Sequence, residues 1–219
     1  MHDRKAIDCG THSPLNTSPF GPSSAVFWLT GVSGAGKTTI ATSFESVCRT
    51  ANWPVVTLDG DVVRSRLNSD LGFSEQDRAE NIRRIAEVAA LMADAHLLVI
   101  VSCISPMKSF RDMARTIIGD RRFIEVHIDT PLEVAEERDP KGLYQRARAG
   151  KIQLFTGIHA QYEAPLNPQV RIDTTTTDID TATDILRRYY IDSVLRPTPH
   201  EPSAFRSSPQ TSLDTATSE

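Results

Sequence analysis

Two kinds of hydrophobic pattern alternate along the chain. Short continuous apolar runs, typical of strands buried in a parallel sheet, occupy residues 25–31, 54–59, 97–103, 122–129 and, more weakly, 169–174. Segments whose apolar residues recur every three or four positions, as in amphipathic helices, lie at 38–51, 77–95, 107–119, 131–138 and 178–195. This alternation predicts an α/β fold in which right-handed crossovers place helices on both faces of a parallel five-stranded sheet.

The hydrophobic pattern is absent at both ends of the chain. Residues 1–24 and 196–219 are rich in Ser, Thr and Pro and show no periodicity, so we expect a flexible leader and a disordered tail. Residues 25–195 then form one folded domain of ordinary size.

Composition and charge narrow the classes of function. The 219 residues are 39% hydrophobic and carry a formal net charge of −4, which favours neither nucleic acid nor a membrane surface as a partner. No apolar run approaches the roughly 18 residues that a membrane span needs. The cysteines at 9, 48 and 103 fit neither a disulfide framework nor a metal site, so we expect a reducing compartment and a cytoplasmic protein.

The strongest local signal is GVSGAGKTT, which joins the first predicted strand to the first predicted helix. It fits the pattern G-x-x-x-x-G-K-[ST] in full. Glycines let backbone N–H groups surround a phosphate at a helix N-terminus, the lysine reaches the β- and γ-phosphates, and the threonine hydroxyl ligates Mg²⁺. The predicted nucleotide-binding residues are Gly31, Val32, Ser33, Gly34, Ala35, Gly36, Lys37, Thr38 and Thr39. We therefore expect a three-layer P-loop nucleoside-triphosphate-hydrolase-like fold that binds ATP and Mg²⁺.

Two carboxylates follow the second predicted strand, in the sequence LDGDVVRSRLN. Asp59 and Asp61 come at the carboxyl end of this strand, on the rim of a parallel sheet that also carries the P-loop. There they can hold Mg²⁺ and orient an acceptor hydroxyl for phosphoryl transfer. The alternative is a solvated turn, since Asp and Gly are common turn formers. The most apolar strand, where P-loop proteins usually place such an acid, ends instead in Ser102 and Cys103.

Basic and aromatic residues follow the acidic pair closely. Arg64 and Arg78 are candidates to clamp an anionic second substrate, and Asn81 shares a helix face with Arg78. Phe73 lies in a loop between helical segments, where it would either stack on a base or plug the core.

A third informative region is the lid segment, residues 138–157. It is rich in Lys and Arg and contains Gly142, Gly150 and Gly157. This composition predicts a mobile basic lid that closes over phosphates and excludes water. The alternative is a solvated amphipathic helix, which the glycines disfavour.

Several sequence blocks resemble the adenylyl-sulfate kinase (APS kinase) family. The blocks are FWLTGVSGAGKTTIA, LDGDVVRSRLNSDLGFSEQDRAENIRRIAEVA, ISP, FIEVHIDTPLEVAEERDPKGLYQRARAGKIQLFTGI and YEAPLNP. They run from about Phe27 to Asp173, and the DGD and RDPKGLY blocks are far more specific than the P-loop. The resemblance implies that ATP phosphorylates the 3′-hydroxyl of adenosine 5′-phosphosulfate (APS), giving PAPS and ADP, in sulfate assimilation.

The resemblance also implies roles for individual residues. The implied catalytic residues are Lys37, Asp59, Asp61 and Ser105, the last matching a serine sometimes assigned as a phosphorylated intermediate. The implied Mg²⁺ ligands are Thr38, Asp59 and Asp61. The implied substrate-binding residues are Arg64, Phe73, Arg78, Asn81, Ile104, Ser105, Lys141, Leu143 and Phe155. In this scheme Phe73 and Phe155 sandwich the substrate adenine, and Lys141 and Leu143 belong to the lid. A homodimer and an association with ATP sulfurylase are compatible with the resemblance.

The chain departs from the family pattern at a few positions. Val62 stands where the family usually has Asn, His96 replaces a usual glycine, and Met107 and Lys108 follow ISP in place of a usual Tyr-Arg. Two alternatives therefore stay open. One is a related P-loop kinase that acts on another nucleotide or a small hydroxyl compound. The other is a non-catalytic nucleotide-binding regulator, against which the intact P-loop and acidic pair argue.

Overall fold

The structure is a computed structural model that describes residues 24–195. The expected leader, except for its last residue, and the expected tail lie outside the described residues. None of the helices between residues 24 and 195 combines the length and the apolar character that crossing a bilayer requires.

One parallel sheet organises the described chain. Its strands are β1 (Val26–Thr30), β2 (Val55–Asp59), β3 (Leu98–Ser102), β4 (Phe123–Asp129) and β5 (Val170–Asp173). They lie in the order β2-β3-β1-β4-β5, and every neighbouring pair is parallel. The predicted five-stranded parallel sheet is thus confirmed. Because all strands run the same way, their carboxyl ends form one rim.

The helices connect these strands. They are α1 (Lys37–Thr50), α2 (Gly60–Ser65), α3 (Glu75–Asp94), α4 (Lys108–Ile118), α5 (Leu132–Arg138), α6 (Leu143–Arg148) and α7 (Ile179–Tyr190), and a π-helical turn, Ile191–Leu195, follows α7. The Ser74 hydroxyl accepts a hydrogen bond from the Asp77 N–H at 3.1 Å, which caps α3 as its sequence indicates.

The core consists of two layers, one on each face of the sheet. Phe27 and Ile100 pack on one face with residues of α1 and α7, while Trp28 and Val101 pack on the other face with residues of α3 and α4. Successive strand residues point to opposite faces, so a strand covered on both sides reads as a continuous apolar run. All residues of β1 and β3 are buried accordingly.

Two short helices were not predicted from the sequence. The six-residue α2 follows β2 directly, and its first turn is capped by the Asp59 carboxylate, which accepts hydrogen bonds from the N–H groups of Asp61 and Val62. The six-residue α6 lies inside the lid segment, where the Asp139 carboxylate accepts from the N–H of Leu143 at 2.8 Å. Helices this short contain no full hydrophobic period, so they are stabilised by caps rather than by a pattern visible in the sequence.

We expect the interior strand β3 to show the stability contributed by this core. Leu98 is 1% exposed, so Leu98→Ala should lower the free energy of unfolding by about 3 kcal/mol through lost burial and a residual cavity. Leu91→Ala is the matched control, because Leu91 lies on α3 with 69% of its surface exposed and should change stability by less than about 0.5 kcal/mol. Urea denaturation followed by circular dichroism measures both, and equal losses would contradict the assignment of the core.

Candidate active site

The predicted phosphate loop joins β1 to α1 and depends on its glycines. Gly34 and Gly36 have φ angles of 75° and 101°, in the left-handed region that other residues rarely adopt. A β-carbon on Gly31 would lie 2.5 Å from the Ile128 carbonyl oxygen, and one on Gly34 would lie 2.8 Å from the Ala135 carbonyl oxygen. The loop therefore curls tightly between β4 and α5, with α1 beginning at its end.

Lys37 lies folded over this loop. Its ammonium Nζ donates hydrogen bonds to the carbonyl oxygens of Gly31, at 3.0 Å, and Val32, at 2.8 Å. Burial lowers the pKa of Lys37 to about 8, although the carboxylates of Asp59 and Asp61 act in the opposite direction. Lys37 is thus a dehydrated cation at the start of a helix, and a phosphate anion bound there would stabilise its charged form.

Asp59 is held next to the phosphate loop. The Thr38 hydroxyl donates to Asp59 Oδ2 at 2.8 Å and lies 3.4 Å from the Ser102 hydroxyl. Asp59 Oδ1 accepts from the N–H of Asp61 at 2.9 Å. Asp59 and Ser102 are register partners at the ends of β2 and β3. The acidic strand end and the glycine loop thus share one rim of the sheet.

Asp61 pairs with the lid segment. Its Oδ2 forms an ion pair with Lys141 Nζ at 2.5 Å, and the two side chains are 73% and 54% exposed. The hydrogen bond to Asp61 raises the pKa of Lys141. The two carboxylates therefore have different partners, because Asp59 contacts Thr38 and Asp61 contacts the lid segment.

Arg64 and Arg78 lie close to the ring of Phe73. Their guanidinium carbons lie 4.7 Å and 5.9 Å from its centroid. Arg64 Nη1 donates to the Gly72 carbonyl at 2.8 Å, while Arg78 donates to the Thr156 hydroxyl at 2.8 Å and to the Leu154 carbonyl. Burial lowers the pKa of both guanidinium groups, and Arg64 lowers that of Arg78 further. Two partly dehydrated cations beside an exposed ring form a site suited to an anion attached to an aromatic group.

The remaining predicted residues are placed less simply. Asn81 is buried, and its Oδ1 accepts from Asn68 Nδ2 at 2.9 Å. Ser105 is 2% exposed, and its hydroxyl accepts from the Trp28 indole N–H at 3.1 Å, so its side chain faces the core in this conformation. Ile104 and Leu143 are half-buried, whereas Thr39 is exposed.

The two predicted stacking rings differ in exposure. Phe73 is 57% exposed, whereas Phe155 is 9% exposed and packs edge-on against Tyr144 with ring centroids 5.0 Å apart. The structure does not pair the two rings among its described aromatic contacts. Tyr144 in turn donates to the Ser33 carbonyl at 2.9 Å, which ties the lid segment to the phosphate loop.

Several contributing residues were missed in the sequence. Thr156 and Tyr144 connect the lid segment to the site, and Asn68 contacts Asn81. Their positions depend on long-range contacts, and the only available signal was their presence inside the quoted blocks. A cavity of about 500 Å³ also lies beside the loop, lined by Val32, His127 and other residues of β4 and of the 157–164 segment. Of its lining residues, the sequence pointed to Val32 in the phosphate loop and Gly157 in the lid segment.

Known proteins similar to this chain include adenylyl-sulfate kinases. A family model described as adenylylsulphate kinase matches residues 23–173. The chain is 50% identical over 181 residues to the adenylyl-sulfate kinase of Shewanella amazonensis, covering 83% of this chain and 91% of that protein. It is 55% identical over 150 residues to the bifunctional enzyme NodQ of Rhizobium tropici, covering 68% of this chain and only 24% of that relative.

A solved structure is similar over the same part of the chain. The APS kinase CysC of Mycobacterium tuberculosis, in complex with AMPPNP and APS, superposes with a TM-score of 0.74 at 44% identity. The superposition covers 76% of this chain and 97% of that chain.

We expect the lowered pKa of Lys37 to appear in nucleotide binding. Phosphates favour the charged lysine, so affinity for a nonhydrolysable nucleoside triphosphate should stay level below about pH 8 and fall above it, by up to roughly tenfold per pH unit. Isothermal titration calorimetry between about pH 7 and pH 9.5 measures this. Lys37→Met should bind weakly and without the decline, and a level affinity for the unchanged protein across that range would contradict the assignment.

Proposed function

Because the chain belongs to the adenylylsulphate kinase family, we propose that it transfers the γ-phosphoryl group of ATP to the 3′-hydroxyl of APS, releasing ADP and PAPS. The observation that carries the proposal is the hydrogen bond between Thr38 and Asp59. It joins a phosphate-binding loop to an acidic strand end, which is the arrangement that phosphoryl transfer to a hydroxyl requires. APS and a nonhydrolysable ATP analogue are the ligands bound by the similar M. tuberculosis enzyme.

The P-loop binds ATP, the phosphoryl donor of the reaction. Its backbone N–H groups and the N-terminus of α1 receive the phosphates, and Lys37 exchanges its two carbonyl partners for phosphate oxygens. That exchange stabilises the charged lysine, whose burial otherwise disfavours it. The lysine then neutralises charge on the transferring group.

The residues around Thr38 fit a magnesium ion. Thr38 Oγ1, Asp59 Oδ2 and Ser102 Oγ are hard oxygen atoms lying together at the rim. Mg²⁺ takes one or two protein oxygens together with phosphates and waters, so it needs no larger protein cage. Within residues 24–195 no group of three or more His, Cys, Asp or Glu side chains could hold a metal. When bound through Thr38 and Asp59, Mg²⁺ supplies charge neutralisation at the phosphates.

Asp61 and the two arginines, Arg64 and Arg78, bind and orient the phosphoryl acceptor, APS. Asp59 is occupied by Thr38 and by the cap of α2, so the carboxylate that orients the 3′-hydroxyl is Asp61, whose present partner is Lys141 of the lid segment. In the transfer step the hydroxyl oxygen bonds to the γ-phosphorus, the bond to the β–γ bridging oxygen breaks, and the hydroxyl proton leaves toward Asp61. Arg64 and Arg78 hold the phosphosulfate, and Phe73 lies beside the base.

The lid segment excludes water from this reaction. Lys141 reaches Asp61, Tyr144 reaches the phosphate loop, and the 154–156 segment reaches Arg78. Attachment at three places holds the lid over both halves of the site. Exclusion of water strengthens the electrostatic contacts and prevents hydrolysis of ATP. A covalent phosphoserine is not needed for in-line transfer, so Ser105 takes no step in this scheme.

A related kinase with another acceptor remains the competing function. Val62, which is 49% exposed, lies directly beside the acidic pair as an apolar residue. An apolar side chain at this position would favour an acceptor whose neighbouring group is less polar. We also propose a cytoplasmic location, which suits two free, buried cysteines among the described residues, Cys48 and Cys103. A homodimer and contact with ATP sulfurylase remain predictions.

The decisive experiment is a coupled assay of ADP release with Mg²⁺-ATP and a panel of acceptors. PAPS formation from APS supports the proposal, whereas turnover of another hydroxyl compound without APS turnover would replace it. Protein that binds ATP but releases no ADP with any acceptor would favour a regulator.

We expect Asp61→Asn to separate chemistry from binding. The amide keeps the shape but accepts no proton, so kcat should fall by about 10²- to 10⁴-fold while the KM for ATP changes little. Asp70→Asn is the matched control, because Asp70 pairs with Arg84 at the surface and should leave the rates unchanged. Steady-state kinetics measures both variants. A kcat for Asp61→Asn within twofold of the wild-type value would mean that another residue accepts the proton of the acceptor hydroxyl.

We expect Arg78→Lys to weaken the acceptor alone. A lysine keeps the charge but cannot reproduce the fork that reaches Phe73, Leu154 and Thr156. The KM for APS should rise by roughly 10- to 100-fold, with the KM for ATP nearly unchanged. Arg83→Lys is the matched control, because the ion-pair partners of Arg83 in the described part of the chain are Glu80 and Glu87, on the exposed face of α3. An equal rise in the KM values for APS and for ATP would contradict the assignment of Arg78 to APS binding.

A further inference from the structure

A buried ion pair lies outside the charged site described so far. Arg111 of α4 is 3% exposed, and its Nε lies 2.7 Å from Glu125 Oε1 of β4, a side chain that is 12% exposed. Removing two charges from water is costly, and an apolar pair of similar size would stabilise the core at least as well. The pair therefore calls for an explanation other than stability.

Arg111 also contacts the turn that follows β3. Its Nη1 donates to the carbonyl oxygens of Ser105, at 2.9 Å, and Pro106, at 3.3 Å. We call residues 104–106 the acceptor turn, because β3 delivers them to the rim between the acidic pair and the P-loop strand. One planar guanidinium thus joins a strand carboxylate to two carbonyl groups at the edge of the site.

The acceptor turn has a conformation that needs such support. Ser105 has a φ angle of 39°, in the left-handed region where residues with a β-carbon are strained. Strained residues persist only where surrounding contacts hold them. Here Thr30 Oγ1 donates to the Ile104 carbonyl at 2.6 Å, and the Trp28 indole donates to the Ser105 hydroxyl at 3.1 Å.

The Pro106 carbonyl accepts a further hydrogen bond from the Glu163 N–H, at 2.8 Å. All three carbonyl groups of the acceptor turn are therefore directed toward the protein. Among the described residues, Arg111 is the charged side chain that donates to them, and it spans two of the three. Its Nη1 makes both carbonyl contacts while its Nε bonds Glu125, so one planar group fixes the positions of these two carbonyls relative to β4.

We propose that Arg111, charged and oriented by Glu125, is a positioning residue that sets the acceptor turn and thereby the fit of the phosphoryl acceptor. The inference rests on the proposed function in one respect, that the acceptor binds at this part of the rim. Arg111 touches no substrate itself and acts through the backbone of Ser105 and Pro106. The same contact gives the buried Ser105 a structural role in place of a covalent one.

Arg111→Lys tests the proposal, with Arg115→Lys as the matched control. Lysine keeps the charge near Glu125 but cannot bond the carboxylate and both carbonyls together. Arg115 lies one turn further along α4, where it contacts Glu125 at 3.6 Å, Asp120 and the ring of Phe123. No hydrogen bond of Arg115 reaches the acceptor turn in the described structure. The two variants therefore disturb the same helix and carboxylate but differ at the turn.

The expected result is a selective kinetic change. Arg111→Lys should raise the KM for APS by roughly tenfold or more and leave the KM for ATP within about twofold, since only the acceptor side is displaced. Arg115→Lys should leave both constants unchanged. Glu125→Gln, which keeps the shape and one acceptor oxygen, should give a smaller change of the same kind and serves if Arg111→Lys does not fold. Equal changes in both KM values, or the same selectivity in Arg115→Lys, would overturn the proposal.

A second readout does not depend on activity. The Trp28 indole N–H resonance, assigned by comparison with Trp53→Phe, reports its hydrogen bond to Ser105 in the protein without substrate. Arg111→Lys should shift this resonance and speed its exchange with water, while Arg115→Lys should not. An unchanged resonance would overturn the positioning role. If the unchanged protein does not turn over APS, the proposed function fails, and the resonance still decides whether Arg111 holds the turn.

Discussion

The hydrogen bond from Thr38 to Asp59 is the constraint on which the site depends. Thr38 lies in the first turn of α1, which follows β1, and Asp59 ends β2, yet β3 lies between these two strands in the sheet. The contact can form because β3 ends in the small Ser102, whose hydroxyl lies 3.4 Å from that of Thr38. A carboxylate at that position would occupy the same space and repel Asp59. The acid is thus displaced one strand outward, to the end of β2.

Close packing at the strand ends makes that displacement possible. A β-carbon on Gly60 would lie 3.0 Å from the β-carbon of Cys103 and 3.1 Å from the Ser102 carbonyl oxygen. Gly60 therefore lets β2 turn into α2 against β3 without a gap. The first carboxylate then caps α2 and the second lies on its first turn. The DGD sequence is explained by this packing as much as by the chemistry of its acids.

The predictions from sequence succeeded where local pattern and local chemistry coincide. The hydrophobic periodicity predicts the sheet and the order of the longer helices, and a cap residue predicts the start of α3. The P-loop is recognised because its fixed residue spacing lies between a predicted strand and a predicted helix. The expected approach of Asp59 to the P-loop followed from parallel strands sharing one rim. What could not be predicted depends on contacts between distant segments. The inward direction of the Ser105 hydroxyl requires Trp28, and the burial of Phe155 requires Tyr144. Neither partner is implied by spacing.

The pairing of the lid segment with the site has a consequence for how ligands enter. Asp61 is already neutralised by Lys141, and Arg78 already bonds Leu154 and Thr156. An incoming anion therefore replaces hydrogen-bond partners that the protein already supplies, so binding is an exchange of contacts. Affinity in such an exchange is a difference between two sets of contacts. Discrimination then comes from shape, because an anion that fits poorly cannot displace the protein's own groups.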